Sequence, residues 1–142
     1  MTTSAFKRTF DSLPGIFALT ADTFAREGID TGLLPTVDLA LEELFTNMVK
    51  YGTGSNAAVH LALTAKDGGV ELTLIDEDVD AFDITEAAEV DINAPIEQRT
   101  PGGLGLHLIR RMAESVQYEY AKESRQSRIS LTFKATESAA RQ

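Results

Sequence analysis

The chain has 142 residues, 43% hydrophobic and 25% charged, which is the length and apolar content of one globular domain rather than two. It has no cysteine, which excludes a disulfide framework, a thiolate metal site and a cysteine nucleophile, and suits a reducing compartment. A formal net charge of −9 works against a nucleic-acid partner, because phosphate backbones are held by clustered Lys and Arg.

Met1 to Phe10 carries Lys7 and Arg8 but no apolar run long enough for a signal sequence, and no later stretch has the length of a membrane span. The expectation is a soluble cytoplasmic protein with no membrane contact and no direct nucleic-acid contact. Ser4 to Phe10 mixes β-formers with charge and reads as a short opening strand at an edge. Pro14 suits a helix start. From Ile16 to Ile29 the apolar residues Ile16, Leu19, Ala21, Phe24 and Ala25 recur at roughly helical spacing, and Gly28 weakens the end of the pattern. Leu33 to Tyr51 reads as a second, stronger helix, with Pro35 near its first turn and Gly52 and Gly54 closing it.

After Ser55-Asn56 the period changes to two. Val59, Leu61 and Leu63 alternate with His60, Ala62 and Thr64, and Asp67-Gly68-Gly69 turns the chain into Val70 to Ile75, which makes a β-hairpin. Asp76 to Gly105 is a long acidic segment with Pro95 and Pro101, too poor in periodic apolar residues for a core element; loops of that length are usually functional, and a lid is expected at about 84–103. Leu104 to Ala113 resumes helical spacing through Leu108, Ile109 and Met112, and Val116–Tyr120 and Arg128–Phe133 form two more strands. Residues 136–142 read as a frayed tail. This order of elements predicts one domain over 1–142, with its core at about 6–134. Its architecture is an α/β (α+β) two-layer sandwich, an antiparallel or mixed, mostly antiparallel sheet with helices on one face.

Two constellations carry chemistry. On the second helix Val37, Ala40, Leu41, Leu44 and Met48 fall in one arc, while Glu43, Asn47 and Lys50 form a polar stripe beside it. Asn competes for backbone hydrogen bonds and is a poor helix former, so a mid-helix Asn47 invites an explanation. A carboxylate and an amide one turn apart can together hold a cation and orient a nucleophile, the amide oxygen being a neutral hard ligand and the carboxylate a proton acceptor. The second constellation is Thr100-Pro101-Gly102-Gly103-Leu104-Gly105, which runs into a helix. Glycines let the backbone approach a ligand, and free amides at the positive end of a helix attract phosphate. It is not a P-loop, since no Lys-Ser or Lys-Thr follows, nor a dinucleotide fingerprint, since no strand leads into it and Leu108 stands at the third glycine. His60 and His107 have no second ligand at metal spacing and read as ordinary surface or pocket-edge residues.

A Glu-x-x-x-Asn helix followed by a Gly-x-Gly loop that opens another helix, with a hairpin and a lid between them, resembles the GHKL ATPases and their Bergerat fold. Leu41-Glu42-Glu43-Leu44-Phe45-Thr46-Asn47 and Pro101-Gly102-Gly103-Leu104-Gly105-Leu106-His107-Leu108-Ile109 are similar to the stand-alone anti-sigma factor serine/threonine kinases, over roughly Phe6 to Lys134. The resemblance implies ATP and Mg²⁺ as cofactors, Glu43 as the catalytic base, Asn47 as the metal ligand, the amides of Gly102, Gly103, Leu104 and Gly105 as a phosphate cradle, and Lys50 as a positive charge near the phosphates. It implies as partners an anti-anti-sigma (STAS-type) protein as substrate and a sigma factor as captive; a homodimer is left open. Without a dimerising helix bearing a phosphorylatable His, a full histidine kinase is not expected.

One motif departs from the family pattern of Asp-x-Gly-x-x-Phe at the adenine. Aligning on Phe82 puts Glu77 at the Asp and Val79 at the Gly, whereas aligning on Asp76 or Asp78 needs a shift of one residue. Asp76, Glu77 and Asp78 therefore all stand as candidates for the adenine contact, with the choice among them open, and a non-catalytic partner-binding module of the same fold is the alternative reading.

Overall fold

The computed structural model describes residues 2–51, 55–80 and 109–135. They form β1 (Thr2–Phe6), α1 (Leu13–Glu27), α2 (Leu34–Tyr51), β2 (Val59–Lys66), β3 (Gly69–Asp76), β4 (Ser115–Ala121) and β5 (Gln126–Phe133). Residues 109–112 are helical and lead into β4. The predicted lid at 84–103 and tail at 136–142, together with Gly52, Gly54 and His107, lie outside the described residues.

Alternation builds the sheet. Its order is β1-β2-β3-β5-β4, and every neighbouring pair among the described strands is antiparallel, so no mixed pairing is used there. Leu61 lies opposite Leu74 and Leu74 opposite Ile129, while Leu63, Leu72 and Leu131 form the next rung. All six are buried, and they face a helical layer in which Ile16, Phe24, Val37, Ala40, Leu41, Leu44, Phe45 and Met48 are buried too. Full burial of one such side chain stabilises the fold by about 1.5–3 kcal/mol, which is why a strict period of two on each strand pins the register. The alternate positions His60, Glu119 and Arg128 are exposed, on the sheet face away from the helices. The two-layer sandwich with helices on one face is the observed architecture.

Three local expectations are corrected. The first strand is Thr2–Phe6 and not Ser4–Phe10, because after Phe6 the chain turns: Thr9 caps a short 3-10 turn at Phe10–Ser12, and the Arg8 side chain goes inward. The first helix buries Ile16, Thr20, Thr23 and Phe24, whereas Ala21 and Ala25 are exposed. The two threonines are tolerated inside because each hydroxyl donates one turn back along the helix, Thr20 to the Ile16 carbonyl and Thr23 to the Leu19 carbonyl, both at 2.8 Å. Finally, α1 runs from Leu13 to Glu27, ending where Gly28 takes a left-handed φ of 65° and sends its N–H to the Phe24 carbonyl.

The β2–β3 turn follows its sequence. Asp67 and Gly68 have φ of 52° and 82°, the positive pair of a two-residue hairpin turn. Gly69, just past the turn, packs against β5 so tightly that a Cβ there would sit 2.2 Å from the Phe133 carbonyl oxygen. Gly69→Ala is therefore expected to destabilise the domain by about 1–3 kcal/mol in urea unfolding, since backbone rather than a flexible side chain would have to move.

Candidate functional site

The site is built on α2. Its apolar arc faces the sheet, and turning about 100° per residue places Glu43, Asn47 and Lys50 along the margin of that arc. Asn47 is buried at 4% exposure, Glu43 is half-buried one turn before it, and Lys50 is exposed in the last turn. Burial pushes the Glu43 carboxyl above its ordinary value; repulsion from Glu42 adds to this, and the Lys50 charge opposes it. A carboxylate so placed is a better proton acceptor than a solvated one, and a buried amide is a polar group brought into the core margin against its hydration preference.

The three acidic residues at the end of β3 part company. Asp76 continues the inward row of Leu72 and Leu74 and is buried at 4% exposure. Both its oxygens are taken by Arg8: Nη1 donates to Oδ2 at 3.3 Å, and Nη2 donates to Oδ1. The same guanidinium donates to the Met48 carbonyl of α2 at 3.0 Å and to the Ser55 hydroxyl at 3.2 Å. Ser55 in turn donates to the Glu77 carbonyl at 2.8 Å. Glu77 points the other way, its carboxylate 3.9 Å from His60 Nε2 and 3.5 Å from the Gln126 amide on the outer face of the sheet. The structure thus brings Asp76, and not the Glu77 side chain, to the α2 side.

Asp78 is exposed and paired with Arg125 at 3.1 Å, and its φ is 56°. The left-handed backbone that a glycine would favour is therefore at 78, where Asp adopts it more readily than a branched residue does. Val79 has no such demand: it is buried, its N–H donates to the Arg125 carbonyl at 3.1 Å, and its carbonyl accepts from the Tyr120 hydroxyl at 2.7 Å. In this backbone Asp76 and Asp78 stand two apart where the family has Asp-x-Gly.

Gly102, Gly103, Leu104 and Gly105 lie outside the described residues; among the described ones Glu43, Asn47 and Lys50 share α2, and Asp76 is tied to that helix through Arg8 and the Met48 carbonyl. Among the described residues no group of three or more His, Asp or Glu side chains could hold a metal ion by itself. The Asn47 side chain offers one neutral oxygen donor, a type compatible with Mg²⁺, which usually keeps waters and takes phosphate oxygens alongside one or two protein ligands. No helix among the described residues is long and apolar enough to cross a membrane.

Sequence reasoning missed Arg8, Ser55, Tyr120 and Arg125. Arg8 falls within the expected opening strand Ser4–Phe10, and the one signal in the sequence is a cation in a β-forming run of an acidic chain. The contacts of Tyr120 and Arg125 leave no mark in local spacing.

A family model described as a histidine kinase-like ATPase domain matches residues 6–133. Among curated proteins, the serine/threonine-protein kinase BtrW of Bordetella bronchiseptica is 30% identical over 86 residues, 59% of this chain and 60% of that protein. The match therefore spans about three fifths of the relative's own length. The chain belongs to the histidine kinase-like ATPase family.

Proposed function

We propose that this histidine kinase-like ATPase domain is a protein serine kinase, which transfers the γ-phosphoryl of ATP to an anti-anti-sigma (STAS-type) partner and, in the alternate complex, sequesters a sigma factor. The observation that carries the kinase reading is the pairing on one helix of a half-buried Glu43, its carboxyl raised by burial, with a buried Asn47 one turn on. Family membership and the name of the Bordetella relative support it.

In this reading Glu43 orients the serine hydroxyl of the partner and takes its proton as the oxygen attacks the γ-phosphorus, while the bond from that phosphorus to the β,γ-bridging oxygen breaks and ADP leaves. The amide oxygen of Asn47 would hold the nucleotide-bound Mg²⁺, and Lys50 would add positive charge at the phosphate end. When bound, the ion neutralises charge on the transferring group. The amides of Gly102, Gly103, Leu104 and Gly105 are the proposed cradle for the phosphates. Homodimerisation is compatible with this scheme and is not required by it.

The test is incubation with Mg·ATP and an anti-anti-sigma protein encoded nearby in the same genome. Phosphoserine on that partner is the expected result, and intact ATP with an unmodified, stably bound partner opposes it. The rate has a signed pH dependence. The base must be ionised, and its folded-state value lies above the ordinary 4.5. The acid limb of the rate profile is therefore expected above the usual carboxylate range, with activity lost as pH falls through it. A limb at or below the ordinary value removes Glu43 from the role. The non-catalytic partner-binding reading is favoured by one observation, the engagement of Asp76 by Arg8.

A further inference from the structure

We propose that Arg8 is an internal occupant of the base end of the site, a specificity-determining residue that closes the adenine contact to the nucleotide. This rests on the nucleotide reading above.

The position follows from three connections. Asp76 is the carboxylate at the end of β3 that lies on the helix side and is buried. The guanidinium that engages it is bonded to the Met48 carbonyl, the residue after Asn47, so the pair sits next to the polar stripe of α2. The two side chains are 7% and 5% exposed, which leaves Asp76 no open approach from solvent. A base amino group would need an oxygen of this carboxylate as its acceptor. Arg8 already presents in-plane N–H donors to both. A guanidinium is planar and donor-only, so it supplies to Asp76 what the amino edge of an adenine would supply.

The fit of Arg8 is incomplete. Among the described residues its Nε is buried without a hydrogen-bond partner, although four donations from Nη1 and Nη2 are made. A buried orphan donor calls for a reason, since most such groups are satisfied. The guanidinium is placed by Asp76, Met48 and Ser55 through its two Nη atoms, and the Nε is the donor left over. Displacing Arg8 breaks a buried, bidentate pair, and the base therefore contributes little to nucleotide affinity in the wild-type chain.

The test compares wild type with Arg8→Met by calorimetry against the magnesium complexes of ADP, GDP and inorganic pyrophosphate. Wild type is expected to bind ADP and GDP within about threefold of each other, because no free acceptor reads the base. Arg8→Met is expected to bind ADP more tightly than wild type and to prefer it to GDP by more than about tenfold, because the freed carboxylate accepts from the adenine amino group and repels the guanine oxygen. Loss of the ion pair lowers the stability of this variant, so the wild-type ratio is read on its own and a gain in binding cannot come from misfolding. A wild type that already prefers ADP by more than about tenfold overturns the proposal, as does an Arg8→Met protein whose binding of both nucleotides matches wild type. Failure of both proteins to bind any of the three ligands removes the nucleotide reading itself, and the role of Arg8 with it. Pyrophosphate binding with indifference to base in both proteins removes only the role of Arg8.

Discussion

Glu43→Gln is expected to lower phosphoryl transfer to serine by about 10²- to 10⁴-fold while the Mg·ADP affinity stays within about a factor of two. Gln keeps the volume and can still accept a hydrogen bond at the same place on α2, so the helix and its packing are preserved. What it cannot do is take a proton. The wild-type group is half-buried and its carboxyl raised by desolvation, which matches its basicity more closely to a hydroxyl losing its proton during transfer. The comparison is made at saturating ATP, with unfolding curves showing that the variant is as stable as wild type. Loss of affinity together with rate would mark Glu43 as part of binding, and an unchanged rate would place the base elsewhere.

Asn47→Ala is expected to abolish the part of nucleotide affinity that depends on Mg²⁺, a loss of about 10- to 100-fold, and to leave the metal-free affinity nearly unchanged. Asn47 is buried at the margin of the core, so some stability is lost as well. The Mg²⁺-dependent increment separates the two effects, because a purely structural asparagine would weaken binding equally with and without the ion. Asn47→Asp is the companion: it keeps an oxygen donor and retains the increment. Calorimetry with ADP in Mg²⁺ and in EDTA reads all three proteins. An increment that survives in Asn47→Ala contradicts the assignment.

Much of the sheet was legible because burial on one face and a period of two are the same fact. Val59, Leu61 and Leu63 alternate with His60, Ala62 and Thr64, and the structure buries the first three. The turn at Asp67-Gly68 was legible for a steric reason, since a two-residue hairpin needs positive φ at both positions. The stripe on α2 was legible from helical geometry, although the buried arc also includes Phe45, which is fully buried. Less was legible where a residue's role is set by a distant partner. Arg8 finds Asp76 68 positions away, and nothing in its neighbourhood announces that it turns inward. The burial of Thr20 and Thr23 is not legible because their hydroxyls look polar in sequence and are satisfied by the helix they belong to.

The segment after β3 shows how a one-residue shift changes chemistry. Counting back from Phe82 makes Glu77 and Val79 the adenine pair, yet strand alternation sends Glu77 to the outer face and the left-handed turn falls on Asp78. Period two, extended by one residue past Ile75, assigns Asp76 to the helix side without any motif. In the proposed nucleotide reading the adenine end departs from the motif in a different way than the motif alone implies, since both oxygens of Asp76, the acid on the helix side, accept from Arg8.

The central claim is that a nucleotide's phosphates meet the polar stripe of α2, and the side-chain amide of Asn47 reports on it directly. In a ¹⁵N-labelled sample titrated with Mg·ADP, the Asn47 side-chain resonances are expected to shift saturably, together with the backbone amides from Glu43 to Lys50, and to return when the ion is removed with EDTA. Unmoved α2 resonances at millimolar Mg·ADP, or shifts confined to the outer face of the sheet around His60 and Gln126, would contradict it.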